Sequence, residues 1–88
     1  MHRPYRVIVA HVALKVLRRL PIDLRRRLQD ALHKIGANPR LLGAEKMKGE
    51  DRYRYRVGDW RIVYQVQDDV AVVLVLTIGP RGRVYGKR

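Results

Sequence analysis

An α+β fold in a single domain, ordered β-α-α-β-β-β, follows from three observations on this sequence. The first half repeats apolar residues at helical spacing, the second half alternates them at strand spacing, and the 88 residues fit one domain. The expected architecture is a twisted, mainly antiparallel sheet with two N-terminal helices on one face and a basic surface on the other. A chain this short buries only about 60% of its unfolded surface, enough for one modest core.

Tyr5–Val9 (YRVIV) is short, β-branched and follows Pro4, so it reads as a first strand. Ala13, Val16, Leu17 and Leu20 then recur on one helical face, with Lys15, Arg18 and Arg19 turned away. Pro21 ends that helix and opens a second, where Asp23 suits the positive end of the dipole. Leu24, Leu28, Ala31, Leu32 and Ile35 form the second stripe, while Arg25, Arg26 and Arg27 face solvent or a protein partner. Gly36 is expected to cap this helix and Asn38-Pro39 to stop it. Gly36–Asp51 reads as irregular, pinned to the core by Leu41, Leu42 and Met47.

Arg52–Val66 (RYRYRVGDWRIVYQV) has the alternation of a hairpin. Gly58-Asp59 suits a type II′ turn, which pairs Val57 with Trp60, Arg56 with Arg61 and Tyr55 with Ile62. Tyr53, Tyr55, Val57, Trp60, Ile62 and Tyr64 then share a core face. Arg54, Arg56 and Arg61 gather on the other, where like charges opposed across a strand pair destabilise it by up to roughly 1 kcal/mol. A docked polyanion explains such a patch. For Arg61 a salt bridge to Asp59 or Glu50 is the structural alternative. Asp68-Asp69 reads as a second tight turn, Val70–Ile78 as a central strand apolar on both faces, and residues 79–88 as a basic tail.

The formal charge of +12, from 20 Lys+Arg against 8 Asp+Glu, points to a phosphate-rich or acidic partner. Cysteine is absent, which excludes disulfides and thiolate zinc sites. His2, His11 and His33 are scattered without ligand spacing, so neither metal nor cofactor is expected. The longest apolar run is half the ~20 residues of a membrane helix. No secretory leader is visible at the N-terminus, so a cytoplasmic protein without a membrane partner is expected.

Several stretches carry a family resemblance that spans nearly the whole chain. They are ALKVLRRL, the second helix ending in NP, LGAEKMKG, YRYRVGDWRIVYQV, VAVVLVLTIG and PRGRVY. Together these resemble the RelE/ParE superfamily of toxins from type II toxin–antitoxin pairs, with R-x-G-x-W-R-x-V-Y the most specific piece. The RelE branch implies a RelE-like microbial RNase fold. It also implies a toxin that enters the ribosomal A site and cuts mRNA by attack of a ribose 2′-OH on its neighbouring phosphate.

The resemblance places the catalytic set at Arg54, Arg56, Arg61, Arg81 and Tyr85, and RNA or ribosome contacts at Lys46, Lys48, Arg52 and Arg83. In that chemistry Arg61 would clamp the charge developing on the phosphorane, which fixed guanidiniums stabilise well. Arg81 would serve the leaving 5′-oxygen, Tyr85 would stack on a base, and Arg54 and Arg56 would position the phosphate and 2′-OH. The pattern departs from the family in having arginine where the RelE branch carries lysine at positions 54 and 56. Arginine, with a pKa above ~12, does not deprotonate in proteins, which leaves the general base unassigned. Pro80 stands where many relatives have His. The other functions open to this fold are ParE-like inhibition of gyrase and RNA binding without catalysis. The implied partners are the ribosome, mRNA and an antitoxin whose acidic segment wraps the toxin.

Overall fold

A computed structural model describes residues 4–49 and 51–80. It opens with strand β1 (Arg6–Val9) and helices α1 (His11–Arg19) and α2 (Ile22–Ala37). Strands β2 (Glu45–Lys46), β3 (Arg52–Val57), β4 (Trp60–Gln67) and β5 (Val72–Pro80) follow. The five strands form one sheet in the order β1-β5-β4-β3-β2. β1 runs parallel to β5, and the other pairs are antiparallel.

The helical stripes read from the sequence are the faces that bury. Ala13 and Leu17 of α1 and Leu28, Ala31, Leu32 and Ile35 of α2 pack on Tyr53, Ile62, Tyr64, Val66, Val73, Val75 and Ile78 of the sheet. Burial of these side chains, worth about 1.5–3 kcal/mol for each large one, is what holds helices and sheet together. Tyr64 is fully buried, and its hydroxyl donates to the Pro39 carbonyl oxygen at 2.6 Å. Burial pushes the phenol well above its ordinary pKa, so it stays a donor.

The hairpin register is the expected one: Val57 faces Trp60, Arg56 faces Arg61, Tyr55 faces Ile62 and Tyr53 faces Tyr64. Gly58 has φ +61°, and Ala71 is the one non-glycine residue at positive φ among those described, so Asp59 lies at negative φ. That combination is the type II′ turn.

Four expectations need correction. Gly36 does not cap α2 but lies buried inside it, and Asn38 occupies the C-cap. A Cβ at Gly36 would stand 2.9 Å from Val7 Cγ2 and 3.4 Å from the Tyr5 carbonyl oxygen, so glycine is there to let α2 approach β1. Leu42 does not pin the loop to the core, being 99% exposed. The stretch taken as irregular contains β2, a two-residue strand that exists because Glu45 and Lys46 pair with Arg54 and Tyr53. Finally, Val70 belongs to a 3₁₀ turn over Asp68–Val70, and Ala71 at φ 54° resets the chain before β5. β5 accordingly starts later than expected and runs on through Gly79 and Pro80, the first two residues of the stretch read as a tail.

Candidate functional site

The face of the sheet opposite the helices carries the arginines. Arg54 and Arg56 alternate on β3, and Arg61 sits on β4 with Arg56 across one strand and Gly79 across the other. Because β4 is an inner strand, Arg61 is only 7% exposed, the one buried charged side chain among the described residues. Its Nη1 donates to the carbonyl oxygens of Trp60 at 3.2 Å and Gly58 at 3.5 Å. No carboxylate pairs with it among the described residues, so the expected alternative of a bridge to Asp59 is not the arrangement found. The backbone of the hairpin turn holds this guanidinium in place and, among the described residues, leaves it without an ion pair. Neither burying a charge nor opposing Arg56 favours folding, and both are tolerated where the field is used.

These three arginines line a cleft of about 670 Å³ beside the β2 edge. Leu42, Gly43 and Tyr55 also line it, and Glu45 supplies the single carboxylate among the described lining residues. Arg54 Nε donates to Glu45 Oε1 at 2.8 Å. That hydrogen bond first, then the charge of Arg54, with lesser help from Arg56 and Arg61, hold the Glu45 carboxyl below the usual range against desolvation. Glu45 is therefore ionised at neutral pH, an acceptor fixed among guanidiniums. Sequence reasoning passed it over because two residues of strand leave no periodic trace; its pairing opposite Arg54 is visible only once the sheet is built.

The other expected contacts are dispersed. Lys46 is exposed, 3.8 Å from Asp51, while Lys48 and Arg52 lie exposed nearby. Arg81, Arg83 and Tyr85 lie outside the described residues, as does Glu50. Tyr53 and Tyr64 are buried and stacked on each other at 5.8 Å, while Tyr55 and Trp60 pack partly buried against the core.

One arginine was also missed altogether. Arg40, just after Asn38-Pro39, donates to both carboxylate oxygens of Asp68, at 3.0 and 2.8 Å, and to the Tyr53 hydroxyl at 2.8 Å. It also reaches Asp51 at 3.3 Å, and Tyr5 donates its hydroxyl to Asp68 from the start of β1. The Arg40 hydrogen bonds, followed by that of Tyr5, lower the Asp68 pKa to about 2. This cluster lies apart from the cleft and shares no residue with its lining.

Chemically, the described part of the cleft offers a fixed guanidinium without an ion pair for a phosphoryl oxygen, two further guanidiniums and one ionised carboxylate. No helix among the described residues is long and apolar enough to cross a membrane. The description "ParE toxin of type II toxin-antitoxin system, parDE" belongs to the family profile that matches residues 7–85. The mRNA interferase toxin RelE of Escherichia coli K12 is 36% identical over 74 residues, covering 81% of this chain and 77% of that protein. The toxin in the intact E. coli RelBE toxin–antitoxin complex superposes with a TM-score of 0.79 at 30% identity, covering 90% of this chain and 99% of its own. The archaeal RelE–RelB complex from Pyrococcus horikoshii OT3 matches at TM-score 0.78 and 30% identity, over 92% and 99%. The chain belongs to the RelE/ParE family of type II toxins.

Proposed function

We propose that this chain is a type II toxin that halts translation by cutting mRNA in the ribosomal A site. The observation that carries this reading is the buried Arg61, unpaired among the described residues and set in one cleft with Arg54, Arg56 and Glu45. Attack of a 2′-OH on its adjacent phosphate builds negative charge on the non-bridging oxygens, and Arg61 meets it with little reorganisation because the turn carbonyls already hold it. Arg54 and Arg56 orient the scissile phosphate. Glu45, ionised and steered by Arg54, accepts the 2′-OH proton, the role that arginine at positions 54 and 56 cannot fill. Arg81 and Tyr85 keep the leaving-group and base-stacking roles that the family resemblance implies. In this reading the ribosome presents the mRNA, Lys46, Lys48, Arg52 and Arg83 contact RNA, and a RelB-type acidic antitoxin segment silences the toxin by covering the cleft, all in the cytoplasm.

Primer extension on an mRNA paused on ribosomes tests it. Wild type should give discrete A-site cuts that vanish without ribosomes and fall at least ~100-fold in Arg61→Ala, the loss typical of removing one transition-state donor. The family profile also covers ParE toxins, which supports a second reading, inhibition of gyrase. Growth arrest with intact mRNA and blocked supercoiling would select it.

A further inference from the structure

A second groove adjoins the arginine cleft and shares two of its walls, Tyr55 and Arg56. It holds about 250 Å³ between β3 and one face of α2. Arg27, Ala31 and Lys34 follow each other at helical spacing, so a single face of α2 presents both cations to β3 with the buried Ala31 as floor. Arg27 is directed at the hairpin: its Nη2 lies 2.9 Å from where a Cβ on Gly58 would stand. Asp30 also lines the groove, yet no ion pair among the described residues includes Arg27, Lys34 or Arg56.

Convergence, rather than the lack of an ion pair that Arg18 and Arg19 share among the described residues, distinguishes this groove from the rest of the surface. Arg40, Lys46 and Arg54 each have a carboxylate partner. Arg27, Lys34 and Arg56 converge on one concavity without any among the described residues, against their mutual repulsion. Concave walls with a single sign of charge in excess concentrate an anion between them.

We infer that this groove is a second RNA-backbone subsite, in which Arg27 and Lys34 hold a phosphate of the same strand whose scissile phosphate lies against Arg61. The inference rests on the nuclease reading for what occupies the first cleft. A strand leaving that cleft past Tyr55 and Arg56 passes into the groove, so the two sites form one track. The groove therefore sets the path of the substrate strand, and Arg27, on the helix, is part of the substrate-binding surface.

The test uses the full chain and single-stranded RNA oligonucleotides of increasing length, each with a 2′-deoxy sugar at the central nucleotide to block cleavage. Wild type should show a step in affinity once a flanking nucleotide is long enough to reach the groove. In Arg27→Gln/Lys34→Gln the step should disappear, and the slope of log affinity against log salt should flatten by about 0.7, the share of one phosphate on a single strand. Arg27→Lys with Lys34 intact should restore most of the step. Arg18→Gln/Arg19→Gln removes the same charge from the exposed end of α1 and should leave the step in place. Thermal melts of each variant report that the fold is retained.

An unchanged step in the double variant overturns the subsite. So does a variant that keeps the step but loses affinity for ribosomes alone, which would assign the groove to ribosomal RNA. Loss of antitoxin binding alone would assign it to protein and overturn it likewise. If wild type fails to cut mRNA on ribosomes while the length step persists and depends on Arg27 and Lys34, the cleavage reading falls and the subsite stands.

Discussion

Arg40 and Arg61 are both arginines against the same sheet, and they are used in opposite ways. The Arg40 side chain is 41% exposed, yet Asp68, Asp51 and Tyr53 take up its donors. Arg61 is almost fully buried, yet only backbone carbonyls meet it among the described residues. Exposure alone would rank Arg40 as the group available to a ligand. Pairing reverses the ranking, because a cation whose field is cancelled locally has little left for a phosphate. Arg40 joins the segment after α2 to the β4–β5 turn and, through Tyr5 on Asp68, to the start of β1. Arg61 stays in place without an ion pair among the described residues, with Glu45 the nearby carboxylate its charge acts on, and keeps much of its field for something that arrives.

The sharpest way to break this contrast is to exchange the consequences. Arg61→Ala should lower ribosome-dependent cleavage by about 10²–10³, as for the loss of a transition-state donor, while Arg40→Gln should leave the cleavage rate alone. Equal losses in both would mean that the two arginines differ only in position. Glu45→Gln sharpens the same contrast within the cleft. It should slow cleavage about 100-fold, at the low end for a general base, and flatten the acid limb of the pH–rate profile. If Glu45 only steadies Arg54, the amide, which still accepts from Arg54, should retain most of the rate with an unchanged profile.

Smaller effects fall on stability. Gly36→Ala should destabilise the fold by about 1–3 kcal/mol in urea, because the new methyl meets a β-branched Val7 that has little freedom to turn aside. Tyr64→Phe strands the buried Pro39 carbonyl and should cost about 1–3 kcal/mol. The smallest expected effect concerns pH. The folded Asp68 carboxyl titrates near 2 against an ordinary 3.8, so its ionised form favours the folded chain above the latter value. The Tm gap between wild type and Asp68→Asn should hold from neutrality to about pH 4 and close as pH falls through about 2. A gap that widened in acid would remove the Arg40 cluster as its source.

Most of the fold was legible because periodicity records which face is buried, and here the faces are simple. The hairpin register was legible to the residue, since one two-residue turn with glycine first leaves a single alignment of Arg56 with Arg61. What escaped was tertiary. β2 has no pattern of its own and exists by pairing with β3. Gly36 looks like a cap in sequence, and only the approach of β1 shows it is a spacer. Arg40 was one cation among many until Asp68, far along the chain, folded back to it. Glu45 was hidden for the same reason: a carboxylate gains meaning from the guanidiniums around it, and those come from other strands.

The parallel pairing of β1 with β5 has a consequence for the order in which this molecule is assembled. Arg6 must find Val72, so β1 waits for a strand that is synthesised long after it. Until then Val7 and Val9 have no sheet to join, and β4 lacks the neighbour that places Gly79 beside Arg61. Contacts so distant in sequence close slowly, because the intervening chain must be ordered first. A nascent chain therefore carries its arginines in an unfinished sheet until β5 slots between β1 and β4.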